Sequence, residues 1–139
     1  MILLDTNVLS ALMQTQPEPR VVAWLDAQAE ESVWTTTVTV FEVRYGLELL
    51  AAGLRRRSLE GAFAKALEED LGNRVLAFDR LAADAAGRLA ASSRKTGRPV
   101  EIRDLQIAGI ATARKATLAT RNTRHFVRLG VELVDPWAG

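Results

Sequence analysis

Hydrophobic residues along this chain fall into short unbroken runs that alternate with longer stretches of helical spacing. The short runs, rich in β-branched residues, predict five strands at residues 1–4, 32–36, 74–78, 117–120 and 131–134. Strands separated by helices are typical of a parallel sheet covered on both faces. The pattern therefore predicts an α/β fold, a three-layer α/β/α sandwich with a central parallel sheet.

The stretches between the predicted strands carry apolar residues three or four positions apart, which indicates helices. They predict a short helix from Thr6, a proline-initiated helix through residues 21–25, and helices at 41–50, 54–71, 80–93, 104–114 and 123–128. Glycine marks two breaks, at residues 72–73 and 97–99.

Composition narrows the class of protein. A chain of 139 residues with 48% hydrophobic residues fits one domain, residues 1–139, with a sizeable core. The absence of cysteine excludes disulfides and thiol chemistry. No apolar stretch approaches the roughly 20 residues that span a bilayer, and no signal peptide is recognisable, so we expect a cytoplasmic protein without membrane contact.

Three acids lie at or just after predicted strand-to-helix junctions. Asp5 ends the opening apolar run, Glu42 lies in residues 39–43, and Asp104 opens an apolar run. In a parallel sheet such junctions share one edge, where ligands of open α/β sheets bind. Converging carboxylates repel one another unless a cation neutralises them, so the pattern indicates a divalent metal.

Each acid also has a purely structural interpretation. Asp5 could cap the helix that begins near Thr6, and Thr39 with Glu42 matches a capping box. Asp104 could be favoured by the positive end of a helix macrodipole. These interpretations weaken when the acids are taken together, because capping does not require them to recur at one edge of the sheet.

Other catalytic chemistries lack the residues they need. His125 is the only histidine, so paired-histidine RNA cleavage cannot be assembled within one chain. The sequence contains no Gly-x-Ser-x-Gly elbow, no phosphate-binding loop of the Gly-x-x-x-x-Gly-Lys type and no Gly-x-Gly-x-x-Gly motif. Metal-dependent hydrolysis remains.

Five segments at compatible spacings frame the chain: residues 1–10, 38–46, 97–108, 118–126 and 131–137. In these segments the chain resembles the PIN-domain ribonucleases, and within them the VapC-like toxins of type II toxin–antitoxin pairs. The resemblance implies a Mg²⁺-dependent endoribonuclease, with Mn²⁺ as a substitute, that acts on RNA. It also implies a cognate VapB-like antitoxin, a homodimer and a higher assembly with the antitoxin.

By position in the resemblance, Asp5, Glu42 and Asp104 are the catalytic acids and the metal ligands. Asp5 and Asp104 would hold Mg²⁺, and Glu42 would be a further ligand or would orient the attacking water. The fourth family position, often Asp, is Asn122 here, which weakens the case for a second metal because an amide is a poorer ligand.

The resemblance also assigns supporting roles to polar residues near these acids. Thr6, Asn7 and Thr120, with Asn122, are predicted to fix the carboxylates by hydrogen bonds, although ordinary helix capping explains the first three about as well. Arg121 and Arg124 are predicted to bind RNA phosphates. His125 is interpreted as a surface helix residue, because the sequence shows no partner for it.

Two other functions remain open. The chain could be a catalytically weak PIN-fold module that binds RNA or a partner, because Asn122 replaces an acid. It could also be a small phosphatase, since Asp5-Thr6-Asn7 faintly resembles an aspartyl-phosphate motif.

Apolar residues in the predicted helices have two interpretations, core or antitoxin-binding groove. The residues concerned are Trp24, Phe41, Tyr45, Leu49 and Leu50. We interpret most of them as core.

Overall fold

A central parallel sheet organises the structure, a computed structural model that describes residues 1–138. Its five strands are β1 (Ile2–Leu4), β2 (Val33–Thr36), β3 (Val75–Leu76), β4 (Thr117–Ala119) and β5 (Leu133–Val134). They lie in the order β3-β2-β1-β4-β5, and every pairing is parallel. The two edge strands are only two residues long.

Seven α-helices within the described residues cover the sheet. They are α1 (Thr6–Leu12), α2 (Pro19–Asp26), α3 (Thr37–Leu49), α4 (Leu54–Lys65), α5 (Arg80–Lys95), α6 (Ile102–Arg114) and α7 (Thr123–Phe126). The predicted helix 54–71 is present, but its last part, Ala66–Asp70, is a π-helix. None of the helices in residues 1–138 is long and apolar enough to cross a membrane.

Successive side chains of each strand lie on opposite faces of the sheet, so the core has two parts, one on each face. Leu3 and Leu118 pack with the apolar sides of α5, α6 and α7. The next residues along, Leu4 and Ala119, pack on the other face with α1, α2, α4 and most of α3. This is the predicted three-layer α/β/α sandwich, which the structure confirms.

Two helices begin earlier than predicted, because their caps lie upstream of the acids. Helix α3 begins at Thr37, since the Thr36 hydroxyl accepts a hydrogen bond from the Thr39 N–H at 3.1 Å. The capping-box interpretation of Thr39 and Glu42 is therefore wrong. Helix α6 begins at Ile102 and is capped by the Glu101 carboxylate, which places Asp104 within its first turn.

The strand order creates one topological switch point, between β1 and β4. The chain runs outward from β1 through β2 to β3, then returns to the other side of β1 to form β4 and β5. The Asp5 N–H donates to the Ala119 carbonyl at 2.9 Å, so the ends of β1 and β4 are joined. The crevice outside these ends is where open α/β sheets bind ligands.

Close packing of α5 on α6 depends on Gly109. A Cβ there would lie 2.5 Å from the Ala82 carbonyl oxygen and 2.7 Å from the Ala86 Cβ. We expect Gly109→Ala to lower the free energy of unfolding by about 1–3 kcal/mol through overpacking, measured by urea denaturation. The matched control is Gly87→Ala, because a Cβ at Gly87 in α5 meets nothing within 4 Å. That change should stabilise by about 0.5–1 kcal/mol, and equal effects of the two changes would contradict the packing account.

Candidate active site at the switch point

Asp5 is the buried acid of the site, and it directly follows β1. One carboxylate oxygen accepts from the Thr6 N–H at 2.8 Å, which makes Asp5 the N-cap of α1. The other accepts from the Thr120 hydroxyl at 2.7 Å and from the Asn7 amide at 3.3 Å. Burial raises the pKa of Asp5 above its ordinary value, and these hydrogen bonds oppose the rise only in part. Asp5 therefore both caps α1 and lies in the candidate site.

Thr120 and Asn7 form the link between the two central strands. The Thr120 hydroxyl is fully buried and accepts from the Asn7 amide at 3.3 Å and from the Asn122 N–H at 3.0 Å. The Asn7 side-chain oxygen in turn accepts from the Arg121 N–H at 3.1 Å. The turn after β4 is therefore fixed to the turn after β1, and Asn122 takes part through its backbone.

Asp104 is the second acid at the switch point. Its pKa is raised, first by burial and then by the negative charge of Asp5, and a nearby His125 opposes the rise. One Asp104 oxygen lies 3.1 Å from the His125 Nδ1. The structure thus brings Asp104 close enough to Asp5 that the charge of Asp5 adds to the effect of burial on the pKa of Asp104.

His125 is the residue that sequence reasoning placed least well. Its side chain is 55% exposed, as expected for a surface helix. It nevertheless contacts Asp104, which lies 21 positions away in sequence. The partner was not visible in the sequence because only the packing of α7 against α6 creates it.

Glu42 reaches the site from α3 and is held from two sides. The Thr6 hydroxyl donates to one carboxylate oxygen at 2.8 Å. The Arg103 guanidinium lies 3.6 Å from the other and also pairs with Glu101 at 3.3 Å. Glu42 is thus joined to the Asp5 turn through Thr6, while Arg103 neutralises part of its charge.

A divalent cation fits the donor chemistry of this site. No group of three Asp, Glu or His side chains within residues 1–138 is gathered closely enough to form a ready-made metal cage, so the three predicted ligands are not preassembled. Mg²⁺, however, commonly uses one or two carboxylates and keeps several waters. Asp5 and Asp104 offer such a set of hard oxygen ligands.

The two predicted phosphate-binding arginines have different surroundings. The Arg121 guanidinium lies 4.9 Å from the centre of the Trp137 ring, a cation–π contact. Arg124 lines a cavity that also borders Asp104 and His125. Arg124 is therefore the one that shares a cavity wall with the acid.

The five apolar residues that could belong either to the core or to an antitoxin-binding groove fall into two groups. Trp24 and Leu50 are partly buried against the core. Phe41, Tyr45 and Leu49 follow one another at intervals of four along α3 and are 58%, 52% and 69% exposed. The Phe41 and Tyr45 rings stack with centres 6.1 Å apart. The core interpretation is wrong for these three residues, which we name the α3 stripe.

Comparison with known proteins agrees with this geometry. The family model for the PIN domain matches residues 2–132. The chain belongs to the PIN domain family, as the resemblance in sequence indicated.

Particular relatives are similar over nearly their whole lengths. A plasmid stability protein StbB from Pseudomonas syringae pv. tomato is 43% identical, with 99% of each chain covered. The VapC ribonuclease Y4jK from Sinorhizobium fredii is 36% identical over 99% of this chain and 98% of its own length. Toxin FitB from Neisseria gonorrhoeae is 35% identical, with 99% of each covered.

The fold is also similar to solved structures. In a structure of FitAB bound to an IR36 DNA fragment, one chain superposes with a TM-score of 0.88 at 35% identity. The match covers 99% of this chain and 96% of that one.

Burial of Asp5 and Asp104, together with the charge of Asp5 near Asp104, predicts a pH dependence of stability. Both groups have a pKa above the ordinary 3.8 in the folded protein, so the folded state holds more protons and stability falls as pH rises above that value. We expect Asp104→Asn, in chelator, to melt a few degrees above wild type at pH 8, with a difference that shrinks toward pH 4. Differential scanning calorimetry measures this.

The matched control is Asp84→Asn, which changes an exposed carboxylate on α5. Its melting temperature should follow that of wild type across the pH range. If the control shows the same pH-dependent gain, a general charge effect replaces the carboxylate pair as the cause.

Proposed function

We propose that this chain is a metal-dependent endoribonuclease and the toxin of a toxin–antitoxin pair. Membership of the PIN domain family supports the proposal, as do relatives named VapC ribonuclease and Toxin FitB. The observation that carries it is the placement of Asp5 and Asp104 at the switch point, where burial of both acids, and the charge of Asp5 near Asp104, favour a bound cation.

Asp5 and Asp104 would hold the metal, Mg²⁺ or its substitute Mn²⁺. When bound, such an ion supplies positive charge to a phosphoryl oxygen and lowers the pKa of water. Thr120, Thr6 and Asn7 keep the Asp5 carboxylate in one orientation, because their donors occupy both of its oxygens.

Glu42 is the residue that would orient the attacking water. The Thr6 hydroxyl and the Arg103 guanidinium contact its two carboxylate oxygens and so fix the orientation of the carboxylate. Arg121 and Arg124 would hold RNA phosphates beside the acids. Direct attack by water on the phosphodiester, without use of the ribose 2′-hydroxyl, leaves 5′-phosphate and 3′-hydroxyl ends.

Cleavage of a pool of structured RNAs tests the proposal. With Mg²⁺ or Mn²⁺, we expect Asp5→Asn to lower the cleavage rate by about a hundredfold or more, because the ligand charge is lost. Asparagine caps a helix as well as aspartate does, so the fold should survive. Asp84→Asn is the control and should cleave at the wild-type rate.

The ends of the products give an independent readout. Products with 2′,3′-cyclic phosphates would contradict water attack. If the wild-type protein cleaves no RNA with any metal, the proposed nuclease function is wrong. The chain would then be a PIN-fold module that binds RNA or a partner.

The exposed α3 stripe predicts a protein contact. We propose that it receives an apolar helix of the antitoxin, because aromatic residues exposed in a row are typical of interfaces. We expect Tyr45→Glu to weaken antitoxin binding about tenfold or more through burial of a charge, measured by isothermal titration calorimetry.

Leu54→Glu is the control, since Leu54 is exposed outside the stripe, at the start of α4. If Tyr45→Glu leaves antitoxin affinity unchanged but halves the molecular mass in light scattering, the stripe belongs to a homodimer interface instead.

A further inference from the structure

A cavity of about 560 Å³ borders the candidate active site on one side. It lies between the end of α5, the start of α6 and the segment from α7 to Leu129, and Asp104 and His125 form part of its wall. Its volume falls within the roughly 300–1,000 Å³ of small-ligand sites. A ligand in this cavity therefore sits directly beside one of the two acids.

Three arginines give the cavity a positive wall: Arg98, Arg124 and Arg128. None of them has a carboxylate partner within 4.0 Å among residues 1–138, whereas Arg103 on α6 has two. Two acids share the wall: Glu101 pairs with Arg103, and Asp104 lies beside His125. The three arginines outnumber these acids, which favours an anionic ligand, and arginine favours phosphate in particular.

Arg98 is held at the cavity by a closed turn at the end of α5. Gly97 adopts a left-handed conformation at φ 72°, and its N–H donates to the Arg94 carbonyl at 3.0 Å. The Arg98 N–H donates to the Ser93 carbonyl at 2.9 Å. This pair of bonds is the Schellman motif, which fixes the backbone beyond the helix. The Arg98 guanidinium thus extends from a rigid base.

The rest of the wall is suited to a flat, partly apolar group. Leu89, Val100 and Leu129 supply apolar surface, and Ser92 adds an exposed hydroxyl. An unpaired RNA base has apolar faces and hydrogen-bonding edges, and proteins hold such bases against apolar surfaces and arginine planes. A phosphate with a base attached matches both parts of the wall.

We propose that this cavity binds one unpaired nucleotide of the RNA substrate, next to the bond that is cleaved. Arg98 and Arg128 contact its phosphate, and the base lies against Leu89 and Val100. The proposal rests on the proposed ribonuclease function and adds a subsite to it. It assigns Arg98, Arg128 and Ser92 to substrate binding, and it implies that the substrate is single-stranded at that position.

Binding in chelator tests the subsite apart from cleavage. The probe is a short fluorescein-labelled single-stranded RNA, and its affinity is measured by fluorescence anisotropy at several salt concentrations. We expect the double variant Arg98→Gln, Arg128→Gln to bind about tenfold more weakly, with a salt slope lower by about 0.7 for each phosphate that is no longer neutralised. Both residues are exposed, so thermal melting should be unchanged.

The control is the double variant Arg55→Gln, Arg57→Gln, which removes the same charge from exposed positions of α4, on the other face of the sheet. It should bind RNA with nearly wild-type affinity. If the two double variants bind equally, the cavity is not a phosphate subsite. Wild-type cleavage with Mg²⁺ would then still uphold the proposed function, so the two failures are distinguishable.

A second variant tests whether the cavity holds the base of the nucleotide. Ser92→Trp fills the cavity from an exposed position of α5. We expect an abasic site at one position of the RNA to weaken binding to wild type but not to Ser92→Trp. Equal affinity of wild type for intact and abasic strands at every position overturns the proposal. So does binding of free AMP or UMP as tight as that of the RNA, which would assign the cavity to a free nucleotide.

Discussion

Burial of the Asp5 carboxylate at the end of β1 is the constraint on which the site depends. A buried carboxylate is costly unless it is hydrogen-bonded. Here the donors come from the turn after β1 and from Thr120 after β4, so the two central strands must stay in register for the acid to be tolerated. These donors are a hydroxyl and two amides, which supply dipoles and no cation. The register of the central strands and the orientation of the Asp5 carboxylate thus have one physical origin.

A second acid adds negative charge at the same edge of the sheet. Asp104 reaches the site from α6, on the opposite face of the strands from α1. His125 offers Asp104 partial relief, and Arg103 does the same for Glu42. The charge of His125 also acts on Asp5, but burial outweighs it together with the hydrogen bonds, so the pKa of Asp5 stays raised.

The strands, the parallel sheet and the placement of Asp5, Glu42 and Asp104 near one edge of the sheet could be predicted from the sequence, because periodicity and strand-to-helix junctions are local properties. Prediction failed where a contact joins elements distant in sequence. The His125 contact with Asp104 and the Arg103 contact with Glu42 arise from packing of α7 and α3 against α6. The capping-box prediction was wrong because Thr36 and Thr39 could each cap α3, and only the backbone conformation decides between them. The cavity could not be found from sequence, since three separate elements enclose it.

The short edge strands have a consequence for how this molecule meets others. β3 and β5 each contribute only two residues to the ladder, so they present few unpaired backbone groups at the sheet edges. Long open edges invite a foreign strand to extend the sheet. Such short edges offer a foreign strand little to pair with. Binding of other molecules then falls to side chains of the helices and of the turns beside the strands, which lie outside the strand pairing.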